Sequence, residues 1–241
     1  MGPGRVHVWR LRLDVDDARF DDLSSKFAKA GCRVLASDEL KRASRFHFDK
    51  DRVRFTRCRT VLRLLLARYL EVEPADIRFT YSPRDKPEVA ADQNPRNLRF
   101  NVSHSADMAL IAVGVQDSLG VDIERVRLDV NTAELSERFF SARERENLRP
   151  IPEKLRVAAF YAVWTRKEAF LKATGEGLGF PLSHFSVSVH PEVEPRIEEI
   201  GGDTNTAKRW SLLDVLAADG FRSAVAIERP NVTIATFDLS V

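Results

Sequence analysis

In the segment GVDIERV (120–126), Asp122 and Glu124 are separated by a single residue. On a β-strand that spacing sends both carboxylates to one face and turns Val121 and Ile123 to the core. Two like charges side by side call for a cation, and two arrangements supply one. Either a hard divalent ion sits between them, since Mg²⁺ takes one or two carboxylates plus substrate phosphates, or the face is solvated and Arg125 or Arg127 neutralises the pair. A second pair, Glu168 and Lys172, stands one helical turn apart in FYAVWTRKEAFLKATGEGL (160–178). As a surface pair it would contribute only about 0.2–0.5 kcal/mol. Tyr161 and Trp164 fall on the same helical track, however, so the charges continue an aromatic stripe. Glu168 would complete a three-carboxylate Mg²⁺ site with Asp122 and Glu124. Gly175, Gly177 and Gly179 follow at once. They suit a helix cap, and they also let a ligand or partner backbone come close.

NVSHS (101–105) puts Ser103 and His104 at the end of a strand, before a turn. Nothing marks Ser103 as a nucleophile, because no G-x-S-x-G elbow surrounds it. A hydroxyl and an imidazole can instead donate hydrogen bonds to a phosphate. Lys86 and Arg54 could add charge for further phosphates, or remain solvated surface cations. Glu144 closes the segment Ser141-Ala-Arg-Glu144, the spacing of a capping box in which the glutamate reaches back to the N-cap backbone.

These residues need elements to hold them. VHVWRLRLDV (6–15) reads as a strand, 20–30 and 37–47 as helices, the second with Ser37 or Asp38 as its N-cap. Residues 50–71 form the strongest helix of the first half, with an apolar stripe through Cys58, Val61, Leu62, Leu65, Leu66 and Tyr69. A short strand and a turn-rich segment span 77–90. Strands at LRFNVSHS and MALIAVGV come next. The second half repeats the order: a strand at 119–126, helices at 132–139, 141–148 and 153–174, then strands at 185–189, 210–215, 222–228 and 233–239. This predicts an α+β chain of two similar α/β lobes in a pseudo-two-fold duplication. The lobes are 1–117 and 118–241, with the active site at their interface.

With 241 residues, 44% of them apolar and 31% charged, the chain can bury a real core. The formal net charge is only +2, yet residues 41–68 hold ten Lys or Arg against Asp49 and Asp51. That basic stretch suits a solvated helix face, a phosphate-binding face or a docking surface for acidic partners. Cys32 and Cys58 have no metal-ligand spacing, and no apolar run reaches the length of a signal peptide core or a membrane span. These features point to the cytoplasm as the expected location.

FNVSHS (100–105), LGVDIE (119–124) and WTRKEAFLK (164–172), in this order and spacing, closely resemble the signature motifs of the 4′-phosphopantetheinyl transferases, in the longer Sfp-like type. RFFSARE (138–144), GLGFPLSHFSV (177–187), DKP (85–87) and the Asp51-x-x-Arg54 step add to the resemblance. It is dense over 98–187 and scattered before that. The resemblance implies a pseudo-dimer of two α/β lobes. It also implies transfer of the phosphopantetheine arm of coenzyme A to a carrier-protein serine, with release of 3′,5′-ADP. Residue by residue, it makes Asp122, Glu124 and Glu168 the Mg²⁺ ligands. Lys172 would neutralise the pyrophosphate and protonate the leaving ADP, and His104 would bind a pyrophosphate oxygen. Ser103 and Arg54 would hold the 3′-phosphate, and Lys86 would lie near the adenine nucleotide. Glu144 matches the position of a proposed base for the carrier serine, a role open equally to Asp122 or a metal-bound water. Two departures stand out: Asp85 replaces the usual glycine before Lys86, and Glu176 replaces a lysine after the long helix.

Two rival functions fit some of the same residues. A metal-dependent nuclease would use acidic strand residues and a basic region, but its usual strand lysine two residues after a carboxylate is missing. A non-catalytic coenzyme- or carrier-binding module would need no three-carboxylate site. The partners expected are coenzyme A and acyl or peptidyl carrier proteins, with no nucleic acid and no membrane. A duplicated chain builds both walls of its own site, so a monomer is expected.

Overall fold

The computed structural model describes residues 1–25 and 34–239. The second half of the helix expected at 20–30, and Cys32, lie outside the described residues. The first lobe contains β1 (Arg5–Arg12), α1 (Asp17–Ser25), α2 (Ser37–Ala43), α3 (Asp49–Leu70), β2 (Phe79–Tyr81), β3 (Pro87–Val89), β4 (Leu98–Ser105) and β5 (Met108–Val115). Then follow β6 (Leu119–Arg125), α4 (Thr132–Phe139), α5 (Ala142–Leu148), α6 (Glu153–Thr174), β7 (Phe185–Val187), β8 (Ile197–Ile200), α7 (Thr204–Ala207), β9 (Ser211–Asp214), β10 (Phe221–Ile227) and β11 (Thr233–Asp238). Among the described residues no helix is long and apolar enough to cross a membrane.

The chain forms two α+β lobes, each built on a 22-residue helix packed against a sheet. In the first, the stripe of α3 (Cys58, Val61, Leu62, Leu65, Leu66) meets Ala109, Ile111 and Val113 of β5. The sheet behind it runs β11-β1-β5-β4, and β11 pairs in parallel with β1. The last strand of the chain therefore returns to the first lobe's sheet. In the second lobe, Val163, Ala169 and Phe170 of α6 pack with Ala224 and Ala226 of β10 and Leu212 of β9. Its sheet runs β6-β10-β9.

A third core lies between the two sheets. Val6, Val8, Leu110 and Ala112 meet Val121, Ile123, Val225 and Ile227 there, all at most 3% exposed. Strand alternation explains the arrangement, because odd and even residues of β5 and of β10 face different cores.

Local differences from the sequence expectation have physical causes. Ala36, not Ser37 or Asp38, is the N-cap of α2, and Glu39 reaches back to its N–H at 3.0 Å. The turn-rich stretch after β2 closes a hairpin through β3. β8 and α7 were not expected. Each has four residues, too short for a periodic pattern to register.

Three arginines of the basic stretch 41–68 are turned to structural use, while Lys41, Arg42, Arg45, Lys50, Arg52 and Arg68 stay exposed. Arg63, 2% exposed, binds Glu39 and the carbonyls of Pro74 and Ile77. Arg59 shares Glu39. Arg57 holds the carbonyls of Leu13 and Val15 and the carboxylate of Asp17.

Gly120 fixes how closely α6 approaches β6. A Cβ there would lie 2.1 Å from the Ala169 carbonyl oxygen and 2.3 Å from the Ala173 nitrogen, both backbone atoms that cannot swing aside. Gly120→Ala is therefore expected to destabilise the chain by about 3 kcal/mol or more. Urea unfolding measures it, and an unchanged midpoint would contradict this packing.

Candidate active site

The close helix–strand contact puts the end of α6 beside Asp122. Strand alternation places Gly120, Asp122 and Glu124 on the side away from the intersheet core. Lys172 Nζ donates to Asp122 Oδ1 at 2.6 Å and to Ser103 Oγ at 2.8 Å. Ser103 Oγ donates to the same Asp122 oxygen at 2.9 Å. The other oxygen, Asp122 Oδ2, is buried and has no hydrogen-bond partner. Ser105 Oγ donates to Glu124 Oε2 at 2.8 Å.

Glu168 lies one turn before Lys172. It lines an interlobe cavity of about 270 Å³ together with Lys86, Asn101, Lys172 and Gly175. Glu124 lines a second cavity of about 420 Å³ with Tyr161 and Trp164, the aromatic part of the predicted track.

The electrostatics tie the three carboxylates together. Burial raises Asp122 above the ordinary aspartate range against the opposing pull of Lys172. Burial raises Glu124, and the Asp122 charge adds to it. Glu168 is raised by burial first, then by the charges of Asp122 and Glu124. The upward push of the Asp122 charge on Glu124 and Glu168, added to burial, marks negative charge that Lys172 alone does not neutralise. Among the described residues, no three such side chains are already closed into a metal ligand set. The donor set nevertheless fits a hard divalent ion: all oxygen, short of positive charge, and with one orphaned buried oxygen at its centre.

Between Ser103 and Ser105, His104 is exposed at the end of β4. Its pKa is lowered, first by desolvation in the cleft and then by the Lys172 and Arg54 cations. Arg54 is held by Asp14 in a two-pronged pair at 2.7 and 2.5 Å. His104 thus lies near two cations, Arg54 and Lys172, and Lys172 is the one that reaches the carboxylates.

Two residues with roles implied by the resemblance serve the fold here. Lys86 Nζ spends its three donors on the carbonyls of Leu119, Lys172 and Ala173, at 3.1, 2.6 and 3.0 Å. It ties the β2–β3 hairpin to the end of α6, and desolvation lowers its pKa to about 8. Asp85 before it takes φ 61°, the left-handed conformation that a glycine adopts freely and Asp tolerates.

Glu144 is not brought to the cleft. It is fully buried within the second lobe, where it accepts from Ser141 N at 2.8 Å while Ser141 Oγ accepts from Glu144 N, making the capping box. Lys167 Nζ holds both of its oxygens, at 2.6 and 2.8 Å, and Val187 N donates to one of them. Sequence reasoning missed this partner, and it missed Asn101, Ser105 and Gly120. The signal for Asn101 and Ser105 was present: polar residues at every second position of β4, alternating with Leu98, Phe100 and Val102.

Comparison with known proteins gives the family. Residues 118–226 match the 4′-phosphopantetheinyl transferase superfamily, and residues 22–116 match the N-terminal region of 4′-phosphopantetheinyl transferase. The chain is 38% identical over 222 residues to the 4′-phosphopantetheinyl transferase HetI of Nostoc sp., covering 92% of this chain and 87% of that one. It is 29% identical over 164 residues to the 4′-phosphopantetheinyl transferase Sfp of Bacillus subtilis, covering 68% and 70%. To the human L-aminoadipate-semialdehyde dehydrogenase-phosphopantetheinyl transferase it is 27% identical over 213 residues, covering 83% and 69%. The chain belongs to the 4′-phosphopantetheinyl transferases, in the Sfp-like type, enzymes that move a phosphopantetheinyl group from coenzyme A to carrier proteins.

Proposed function

We propose that the transfer takes place at the interlobe cleft, depends on Mg²⁺ and releases 3′,5′-ADP. The observation that carries this reading is the orphaned Asp122 Oδ2, near two further carboxylates whose pKa values are raised by burial and then by the Asp122 charge, with Lys172 beside them. Asp122, Glu124 and Glu168 would hold the ion. When bound, it supplies positive charge beside the pyrophosphate, where leaving-group charge builds.

The chain's own residues do the rest. Lys172, now on Asp122, faces the pyrophosphate with His104, and Arg54 provides charge for the 3′-phosphate. Ser103 supports this face by orienting Asp122 and Lys172. The carrier serine oxygen bonds to the phosphorus that bears the pantetheine arm, and the bridging P–O bond to ADP breaks. Lys172 gives a proton to the departing ADP oxygen. Glu168 lines the cavity, and the serine proton would pass to a carboxylate of this cluster, Asp122 or Glu168. With Glu144 committed to its cap and to Lys167, we assign it a structural role, and we assign Lys86 to holding the end of α6. One chain supplies both walls, which favours a monomer, and a cytoplasmic location fits the reading.

The test is chromatography of nucleotides after incubation with coenzyme A and an apo carrier protein. Stoichiometric 3′,5′-ADP that disappears with EDTA is expected; carrier modification without that product would overturn the reading.

A linked prediction concerns pH. Carboxylates raised in the folded state bind protons more readily than in the unfolded chain. Their contribution to stability therefore falls as pH rises through the raised values. A divalent ion that neutralises them must compensate most where they are ionised. Added Mg²⁺ is expected to raise the melting temperature more at pH 7.5 than at pH 5. An equal gain at both values would count against the three-carboxylate site.

A further inference from the structure

β6 is hydrogen-bonded to β10 along one edge only. Its other edge lies beside β4, and three β4 side chains meet the β6 backbone there. Val121 N donates to Asn101 Oδ1 at 2.9 Å, Ile123 N to Ser103 Oγ at 3.4 Å, and Arg125 N to Ser105 Oγ at 3.1 Å. The offset is 20 residues each time, so the two strands run side by side in the same direction. The three side chains sit at alternate positions and share one face of β4.

A serine hydroxyl has one proton and two acceptor lone pairs. Accepting from a β6 N–H leaves that proton free to point at the neighbouring carboxylate. Ser103 gives it to Asp122 and Ser105 gives it to Glu124. The two positions then differ. Lys172 also reaches Ser103 and Asp122, whereas Glu124 has no ion pair among the described residues and relies on Ser105.

We propose that Ser105 is a positioning residue for phosphopantetheinyl transfer: anchored by the Arg125 N–H, it orients the Glu124 carboxylate from the first lobe as a divalent-metal ligand. The proposal rests on the three-carboxylate reading above. Groups that orient a metal ligand in this way typically change metal affinity by about 10–100-fold when removed.

The experiment uses Mn²⁺ as the probe, titrated into the full chain without coenzyme A or carrier and followed by electron paramagnetic resonance. Ser105→Ala is expected to weaken Mn²⁺ binding about tenfold or more with a melting temperature close to wild type. Ser105→Thr keeps the hydroxyl and is expected to bind Mn²⁺ within a few-fold of wild type. Should the alanine variant not fold, Ser105→Cys, near in volume but a weak donor, is expected to show the same weakening. Unchanged affinity in Ser105→Ala or Ser105→Cys would overturn the proposal, as would a loss in Ser105→Thr equal to that in alanine. A wild-type chain that binds no Mn²⁺ would instead remove the metal site itself, which is a different and recognisable failure.

Discussion

Glu168→Ala is expected to reduce transfer at least about 10³-fold, equivalent to roughly 4 kcal/mol of transition-state stabilisation. The fold should be unharmed. Glu168 is only partly buried, and no hydrogen bond or ion pair to it is needed to hold α6 in place. Its pKa is raised by burial first and then by the charges of Asp122 and Glu124, so its removal takes away both a buried charge and a like-charge repulsion. The melting temperature of the metal-free variant is expected to equal or exceed that of wild type. Single-turnover transfer and thermal unfolding, measured together, give both numbers. A near-normal rate would remove Glu168 from the chemistry, and a collapse in melting temperature would make its role structural.

The second large effect is on stability. Lys167 and Glu144 are both fully buried, and Lys167 also donates to the Phe185 carbonyl at 2.6 Å. Lys167→Met leaves the Glu144 carboxylate in the interior with backbone donors but no cation. Breaking such a pair from one side costs about 3–5 kcal/mol. Glu144→Gln keeps the acceptor of the capping box and strands Lys167 instead, so it too should be destabilising. In the double variant neither charge remains, and the combined loss is expected to be smaller than the sum of the two. Urea unfolding of the four proteins yields the cycle. The same set separates cap from base: as a cap, Glu144→Gln lowers stability while the folded fraction keeps its transfer rate. Loss of rate at wild-type stability would restore Glu144 as the base.

The apolar skeleton of this chain was legible in its sequence. The stripe of α3, the runs of β4 and β5, and the alternation in β6 all follow from periodicity, and Asp122 and Glu124 do share a face. What escaped was polar and distant. Periodicity treats charged residues as solvent markers, yet Arg63, Arg166 and Lys167 are among the largest fully buried side chains. Their partners are carbonyls and carboxylates from remote segments: Arg166 meets Asp214 on β9 and the Ser188 carbonyl. The track through Trp164, Glu168 and Lys172 was visible, but α6 is buried on its opposite side too, so no single stripe describes it.

Long-range pairing was equally hidden. Nothing local announces that β11 returns to β1, or that Lys86 ends on the carbonyls of α6. The serines of NVSHS read as phosphate ligands or turn residues. Their contacts with the β6 backbone become visible only once the two lobes are assembled.

The most direct test of the interlobe site is the intact mass of an apo carrier protein after incubation with coenzyme A and this chain, in parallel with Mg²⁺ and with EDTA, and with Glu168→Ala alongside wild type. The account predicts a gain of one phosphopantetheine arm for wild type with Mg²⁺ and none in the other samples. A full gain with EDTA, or with Glu168→Ala, would contradict it.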